Sequence, residues 1–389
     1  MKVLYCAPNK SHHYGYAREL HDAGILHAFV SGFPRVGSGA SIPELSEKLI
    51  RADELQLLYL ASLRAGIPNS ISEELLYWSK LRLDRVSRTP GKEADLFLFY
   101  GGCGLQTARR VRERGGITVM EAVNSHVLTQ QELLREQYQI LGLPWRPFHP
   151  RETERRVLEC DEADYILLPS EFVRRSFLNR GFPERKLLKV PFKVRQVSGA
   201  TESFTEPFSK QGVFRILFVG SISVRKGVRY LIEAFRRLQH PNKELWLVGP
   251  TSTPSGLEGM QIPAGVSFKG ILKGSELQHA YRSSTLFCLP TLEEGLALVL
   301  GEALGNGLPV ITTSNSGAED LYTNGKEGVI TPIRDTDSLL AAMQRAVDDP
   351  TWLAELKHHA QLRAIELRNP PTHSLLVETI KSLPRSDQS

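Results

Sequence analysis

Short strands rich in Val, Ile, Leu and Phe alternate with helical stretches along this chain, which predicts an α/β fold of parallel sheets. Two further observations divide it into two doubly wound, Rossmann-like units facing each other across a cleft. At 389 residues the chain exceeds what one hydrophobic core usually organises. The rhythm also breaks once, over residues 193–212, where Ser, Gly, Thr and Pro replace the apolar runs. The expected units are residues 1–194 and 195–370, followed by a terminal helical segment, 371–389.

The first unit should open with a buried strand at residues 2–7, where Val-Leu-Tyr-Cys-Ala is an apolar run. That run is too short for a secretory signal, so it reads as structure and not as a leader. Further strands are expected at 95–100, 117–122, 165–168 and 187–190, while residues 41–90 read as mainly helical. In that long insertion Leu45, Leu49, Leu55, Leu58 and Leu75 supply apolar faces. Gly101-Gly-Cys-Gly104 permits close backbone approach to a ligand or simply tight packing. Ser170 is a natural N-cap for the helix after the fourth of these strands, and Gly181 its stop.

In the second unit strands are expected at 214–219, 244–248, 266–268, 286–289 and 310–312. Asp335 and Asp337 precede Ser338-Leu-Leu-Ala-Ala-Met, which makes them helix caps and dipole partners and not metal ligands. Residues 373–383 form one short amphipathic helix.

Composition narrows the class. With 41% hydrophobic and 23% charged residues, and no apolar run able to span a bilayer, the chain reads as a soluble globular protein. Cys6, Cys103, Cys160 and Cys288 are dispersed without metal-ligand spacing and should stay reduced in the cytoplasm. The formal charge is +5, with basic clusters at 80–85, 109–114 and 146–156. Solvated helix faces account for them; contact with anionic lipid headgroups or an acidic glycan is the alternative. No nucleic-acid motif accompanies the charge.

The segment Pro290-Thr-Leu-Glu-Glu-Gly-Leu-Ala-Leu-Val-Leu-Gly-Glu302 carries the most chemistry. It reads as a strand end, a glycine turn and an apolar helix from about Leu296. An unpaired carboxylate among Leu298, Val299, Leu300 and Leu304 would cost several kcal/mol, so Glu302 should meet a polar partner such as sugar or ribose hydroxyls. Glu294 sits in the turn, where free helix N–H groups also suit a phosphate. This segment resembles the donor site of retaining glycosyltransferases of family 4, enzymes of the GT-B fold, in which two Glu residues separated by seven others follow the strand. Glu294 and Glu302 keep that spacing, and Gly307-Leu-Pro-Val-Ile-Thr312 and Gly317 also fit. Two positions depart from the family: Ala297 stands where Gly is usual, and Ser316-Gly317 where a Gly pair is common.

Phe214-Arg-Ile-Leu-Phe-Val-Gly-Ser-Ile-Ser-Val-Arg-Lys-Gly supplies the other half: a strand, a turn at Gly220 that lets the backbone approach a ligand, and a basic pair. Arg225 and Lys226 can neutralise a diphosphate there. The arrangement resembles the family's Gly-Arg…Lys-Gly element, with Ser221 in place of the usual Arg and Arg225 as its substitute. The resemblance further implies donor contacts at Gly295, Leu298, Val299, Gly249 and Ile271. On the acceptor side it implies His126, after the 117–122 strand, and Gly15, in a loop spanning 11–15. The 41–90 insertion is either part of an acceptor platform or additional packing. By the same resemblance, the terminal helix crosses back to the first unit.

The resemblance therefore implies a retaining glycosyltransferase that moves a sugar from a nucleotide-diphosphate donor to a hydroxyl of a glycan or lipid-linked acceptor. Glu302 would hold ribose hydroxyls, Glu294 the donor sugar, and Lys226 with Arg225 the departing diphosphate. His126 would help position the reacting sugar. No cofactor and no metal are expected. Bacterial surface polysaccharide or glycolipid synthesis is the expected setting, in the cytoplasm or peripherally at the inner face of the plasma membrane. A sugar-nucleotide epimerase and a non-catalytic nucleotide-sugar binder, suggested by Ser221 and Ala297, are the alternatives.

Overall fold

A computed structural model describes residues 1–36, 42–194, 212–368 and 373–384. The expected connection at 193–212 lies almost wholly outside the described residues.

In the first unit β1 (Val3–Ala7), β2 (Leu26–Ser31), β3 (Leu49–Arg51), β4 (Leu96–Tyr100), β5 (Ile117–Glu121), β6 (Tyr165–Leu168) and β7 (Leu187–Lys189) pair in parallel, in the order 3-2-1-4-5-6-7. All five residues of β1 are buried, as a strand covered on both faces requires. The covering helices are α1 (His13–Asp22), α2 (Glu54–Arg64), α3 (Asn69–Ser87), α4 (Leu105–Arg112), α5 (Val127–Ile140), α6 (Pro150–Glu162) and α7 (Glu171–Leu178). In the second unit β8 (Phe214–Val219), β9 (Lys243–Val248), β10 (Val266–Gly270), β11 (Leu286–Leu289), β12 (Val310–Thr313) and β13 (Gly328–Thr331) take the order 10-9-8-11-12-13. Its helices are α8 (Val228–Arg237), α9 (Gly274–Arg282), α10 (Leu298–Gly305), α11 (Thr336–Asp348) and α12 (Pro350–Arg368). The last helix, α13 (Leu375–Ser382), lies against α1, where Ser374 donates to Glu19.

Each sheet reverses its direction of growth beside its first strand, at β1/β4 and at β8/β11. Ligands of open α/β sheets bind at the strand carboxyl ends of such switch points. The functional segments named above follow β5, β8 and β11.

Local signals explain several boundaries. Ser170 accepts a hydrogen bond from Val173 N and caps α7, and Asp335 does the same for Ser338 N at α11. Gly101–Gly104 is a packing device: a Cβ on Gly104 would strike the Phe99 ring, and the Gly102, Gly104 and Leu105 N–H groups all donate to Glu159.

Three expectations need correction. Residues 41–90 are mainly helical, as expected, with Leu49–Arg51 an edge strand paired with β2; Leu58, assigned to an apolar face, is instead exposed. Gly15 is not in a loop. Tyr14, Tyr16, Ala17 and Leu20 bury one face, which starts α1 at His13 and leaves Gly15 exposed in its first turn. The helix carrying Glu302 begins at Leu298, because Ala297 N is held by Ser316 O at 3.0 Å and stays extended.

The two units are bridged by polar contacts. Glu171 N donates to Asp320 (2.6 Å), Lys189 pairs with the same carboxylate (2.8 Å), and Arg175 pairs with Glu319 (2.6 Å). Arg334 reaches Leu133 O and Glu136 at 2.8 Å. Gln137 Oε1 accepts from both Arg334 and Tyr230 at 2.9 Å. Among the described residues no helix is long and apolar enough to cross a membrane.

Candidate active site

The turn after β8 is built backbone against backbone. Gly220 N donates to Val248 O, and a Cβ on Gly249 would fall 2.0 Å from Gly220 O, so the two turns stack without side chains between them. Gly227 then adopts the left-handed conformation (φ 65°) and approaches Pro290 O too closely for any side chain. Leu292 N closes the join by donating to Arg225 O at 2.8 Å. The basic pair is thereby pressed against the turn that follows β11.

Arg225 donates to Glu294 Oε1 at 2.6 Å, and Lys226 bonds the same oxygen. Burial pushes the Lys226 ammonium down from its ordinary value, against the opposing pull of Glu294. The structure thus brings Arg225, Lys226 and Glu294 together, next to Gly220 and Ser221. Glu302 lies on α10 and accepts from Tyr281 at 3.0 Å. Leu298 and Val299 are half-buried at the start of α10, whereas Ile271 is 62% exposed in the turn after β10.

Glu293, not singled out in the sequence, is fully buried between the units. It accepts from Ser125 N (3.0 Å), Ser125 Oγ (2.8 Å) and Gln130 Nε2 (2.7 Å), all of the first unit. Burial raises its pKa, and Arg225 at 3.7 Å pulls the other way. Gly295 completes this contact: a Cβ there would lie 1.7 Å from Val123 O, and Ser170 Oγ donates to Gly295 O.

His126 is elsewhere. Its Nδ1 caps α5 by accepting from Leu128 N, its own N–H donates to Ser176 Oγ at 2.9 Å, and its ring packs with Phe177 and Phe182. Burial, then Arg180 and Arg156, push it down to about 4, so it is neutral at pH 7.

A second polar centre unforeseen in the sequence lies at the carboxyl ends of β1 and β5. Tyr5 Oη bonds His13 Nδ1 (2.7 Å) and donates to Glu121 (3.0 Å), while His12 bonds the other oxygen of Glu121 and stacks on Phe192. Burial alone would raise the Glu121 carboxyl, but His13 and His12 beside it hold it well below the usual range. The ligand atoms of His12, His13 and Glu121 lie within 4.8 Å of one another, a nitrogen–oxygen set that suits a zinc-like ion. The doubled His after the first strand was the available signal. All four cysteines are buried, and burial raises their thiols, Cys6 to about 12, which leaves no thiolate nucleophile among them.

Residues 213–349, which contain this Arg–Lys–Glu cluster, match the family described as glycosyl transferases group 1. That match lies within the second unit and spans its six strands, β8 to β13. An uncharacterized glycosyltransferase of Methanocaldococcus jannaschii is 29% identical over 139 residues, 34% of this chain and 36% of that protein. The chain spans between 34% and 45% of the length of the curated relatives it matches. Over the whole length the likeness is one of fold. Sucrose-phosphate synthase from Thermosynechococcus elongatus superposes with a TM-score of 0.69 at 17% identity, covering 98% of both chains. HepE of Anabaena, solved in complex with UDP, superposes with a TM-score of 0.63 at 14% identity, covering 98% of this chain and all of that one. The two facing sheets have the GT-B arrangement.

Proposed function

We propose that this chain is a retaining glycosyltransferase that moves a sugar from a nucleoside-diphosphate sugar to a hydroxyl acceptor. The observation that carries this reading is the convergence of Arg225 and Lys226 on Glu294 at the carboxyl end of β11, beside the side-chain-free turn of Gly220 and Gly249. An arriving diphosphate competes with Glu294 for the two cations. Lys226, whose ammonium is disfavoured by burial, gains most from a dianionic neighbour. Glu294, released from its ion pairs, turns to the donor-sugar hydroxyls, while Glu302, oriented by Tyr281, takes the ribose hydroxyls.

In the transfer the acceptor oxygen bonds to the anomeric carbon on the face from which the diphosphate departs. The carbon–oxygen bond to the diphosphate breaks, and the hydroxyl proton leaves with the diphosphate oxygen. Charge on that leaving group is the largest electrostatic demand, and Arg225 and Lys226 meet it in place of a divalent ion. His126 acts at one remove: it caps α5, which carries Gln130, and adjoins Ser125, so it helps fix both partners of Glu293. The work is done in the cytoplasm, in surface polysaccharide or glycolipid assembly.

The test is thermal shift with UDP, GDP, ADP and TDP and their common sugars. One base should raise the melting temperature selectively, and Glu302→Ala should abolish the rise. A well-folded sample that responds to none of them would count against the transferase reading.

A further inference from the structure

Two cavities on the first unit share a wall but differ in chemistry. The first, of about 270 Å³, is bordered by Gln130 of α5, Arg146 and Phe148 of the following connection, and Thr153 and Arg156 of α6. The second, of about 400 Å³, shares Phe148 and Thr153 with it and adds Leu128, Pro150, Val157 and Leu158.

The first cavity is short of negative charge. Neither Arg146 nor Arg156 makes a hydrogen bond or ion pair among the described residues. Of the two carboxylates that also border it, Glu152 is bound to Lys80 and Glu73 is exposed to solvent. Thr153 Oγ1 is buried there without a hydrogen-bond partner, which native structures rarely leave so. Two uncommitted guanidinium groups and an orphan hydroxyl suit a phosphate. Beyond the shared wall the second cavity presents the apolar side chains of Leu128, Pro150, Val157 and Leu158, with Gln131 and the exposed Glu154 at its border.

Its place in the fold is equally specific. Gln130 borders the first cavity and donates to Glu293 at 2.7 Å, so one side chain touches both that cavity and the turn holding Glu294. We propose that the paired cavities hold the acceptor as a phosphate-bearing lipid. The phosphate lies against Arg146, Arg156 and Thr153, the aliphatic tail runs along Leu128, Val157 and Leu158, and the hydroxyl to be glycosylated reaches past Gln130. This rests on the transferase reading above, which supplies the donor on the far side of Gln130.

The test is calorimetric titration of the whole chain with dodecyl phosphate below its aggregation concentration. Inorganic phosphate and a neutral dodecyl glycoside are the comparators, and UDP, GDP, ADP and TDP are titrated in parallel. Dodecyl phosphate should bind at least tenfold more tightly than either comparator. Arg156→Gln and Val157→Glu should each weaken it at least fivefold and leave nucleotide affinity and melting temperature unchanged. Equal binding of the neutral glycoside, equal binding of inorganic phosphate, or unaltered binding by Arg156→Gln would each overturn the proposal. Loss of alkyl-phosphate binding with nucleotide binding intact sinks this proposal alone. Alkyl-phosphate binding with no nucleotide binding sinks the transferase reading, and the acceptor role with it.

Discussion

Gly295→Ala tests whether the contact between the units is the working arrangement. The added Cβ would lie 1.7 Å from Val123 O, about half an ordinary contact distance, and both atoms belong to backbone. Neither can swing away, so the units must part by well over 1 Å at this point. The hydrogen bonds of Ser125 and Gln130 to Glu293, 2.7–3.0 Å long, sit beside it and would stretch beyond useful length. Overpacking of this kind costs about 1–3 kcal/mol. Arg225, Lys226, Glu294 and Glu302 all belong to the second unit, so nucleotide affinity should change by no more than about twofold. Transfer depends on both units, and a misplacement of about 1 Å can cost 10²-fold in rate. Calorimetry with the nucleotide, beside a steady-state transfer assay, separates the two effects. Gly305→Ala is the control, since a Cβ there meets nothing within 4 Å. Wild-type transfer by Gly295→Ala would refute the claim that this contact is needed for turnover.

Lys226→Ala and Glu294→Gln should each lower transfer at least tenfold, with nucleotide affinity reduced chiefly in the first; two active variants would remove the site assignment. Glu293→Ala should destabilise by about 1–3 kcal/mol, because buried donors on Ser125 and Gln130 lose their acceptor. Burial raises the Glu293 carboxyl, so the folded chain binds a proton there more tightly than the unfolded chain does. The stability this confers is present at low pH and fades as pH rises through the folded value. Denaturant midpoints should therefore depend less on pH across this range in Glu293→Gln than in wild type. His126 has the opposite sign. Its imidazole is pushed down to about 4, so stability is lost as pH falls from about 6.5, the ordinary histidine value, towards that point. Urea midpoints at pH 5 and 7 should differ less in His126→Asn, which keeps a cap; an unchanged difference would contradict the burial argument.

Strands buried on both faces were the most legible part of the sequence. Residues 165–168, 214–219 and 286–289 appear at their expected limits because each is a short apolar run, interrupted only by Arg215 in the second. The strands β2, β3 and β13 escaped. Leu-His-Ala-Phe-Val-Ser interrupts its apolar run with His27, while Leu-Ile-Arg and Gly-Val-Ile-Thr are too short to show a period. The candidates Arg225, Lys226, Glu294 and Glu302 can be named from the sequence because they sit in two local motifs with fixed spacing, and the structure brings the first three together. Glu293 was invisible because its meaning lies in Ser125 and Gln130, more than 160 residues away. His126 stands out on the acceptor side because it follows a strand end; what the sequence does not show is that its side chain also caps α5, whose free N–H groups need an acceptor.

Helix α5 is gripped at two places by the unit to which it does not belong. Gln130 is bound to Glu293, and Gln137, two turns further along the same face, is bound to Tyr230 and Arg334. A rod pinned at two points cannot pivot about either one. Departure of the spent nucleotide by widening the cleft would therefore need both fastenings to let go together. Otherwise α5 must slide off its own sheet and travel with the other half, and in that case the mechanical seam of this molecule lies one helix inside the cleft between its sheets.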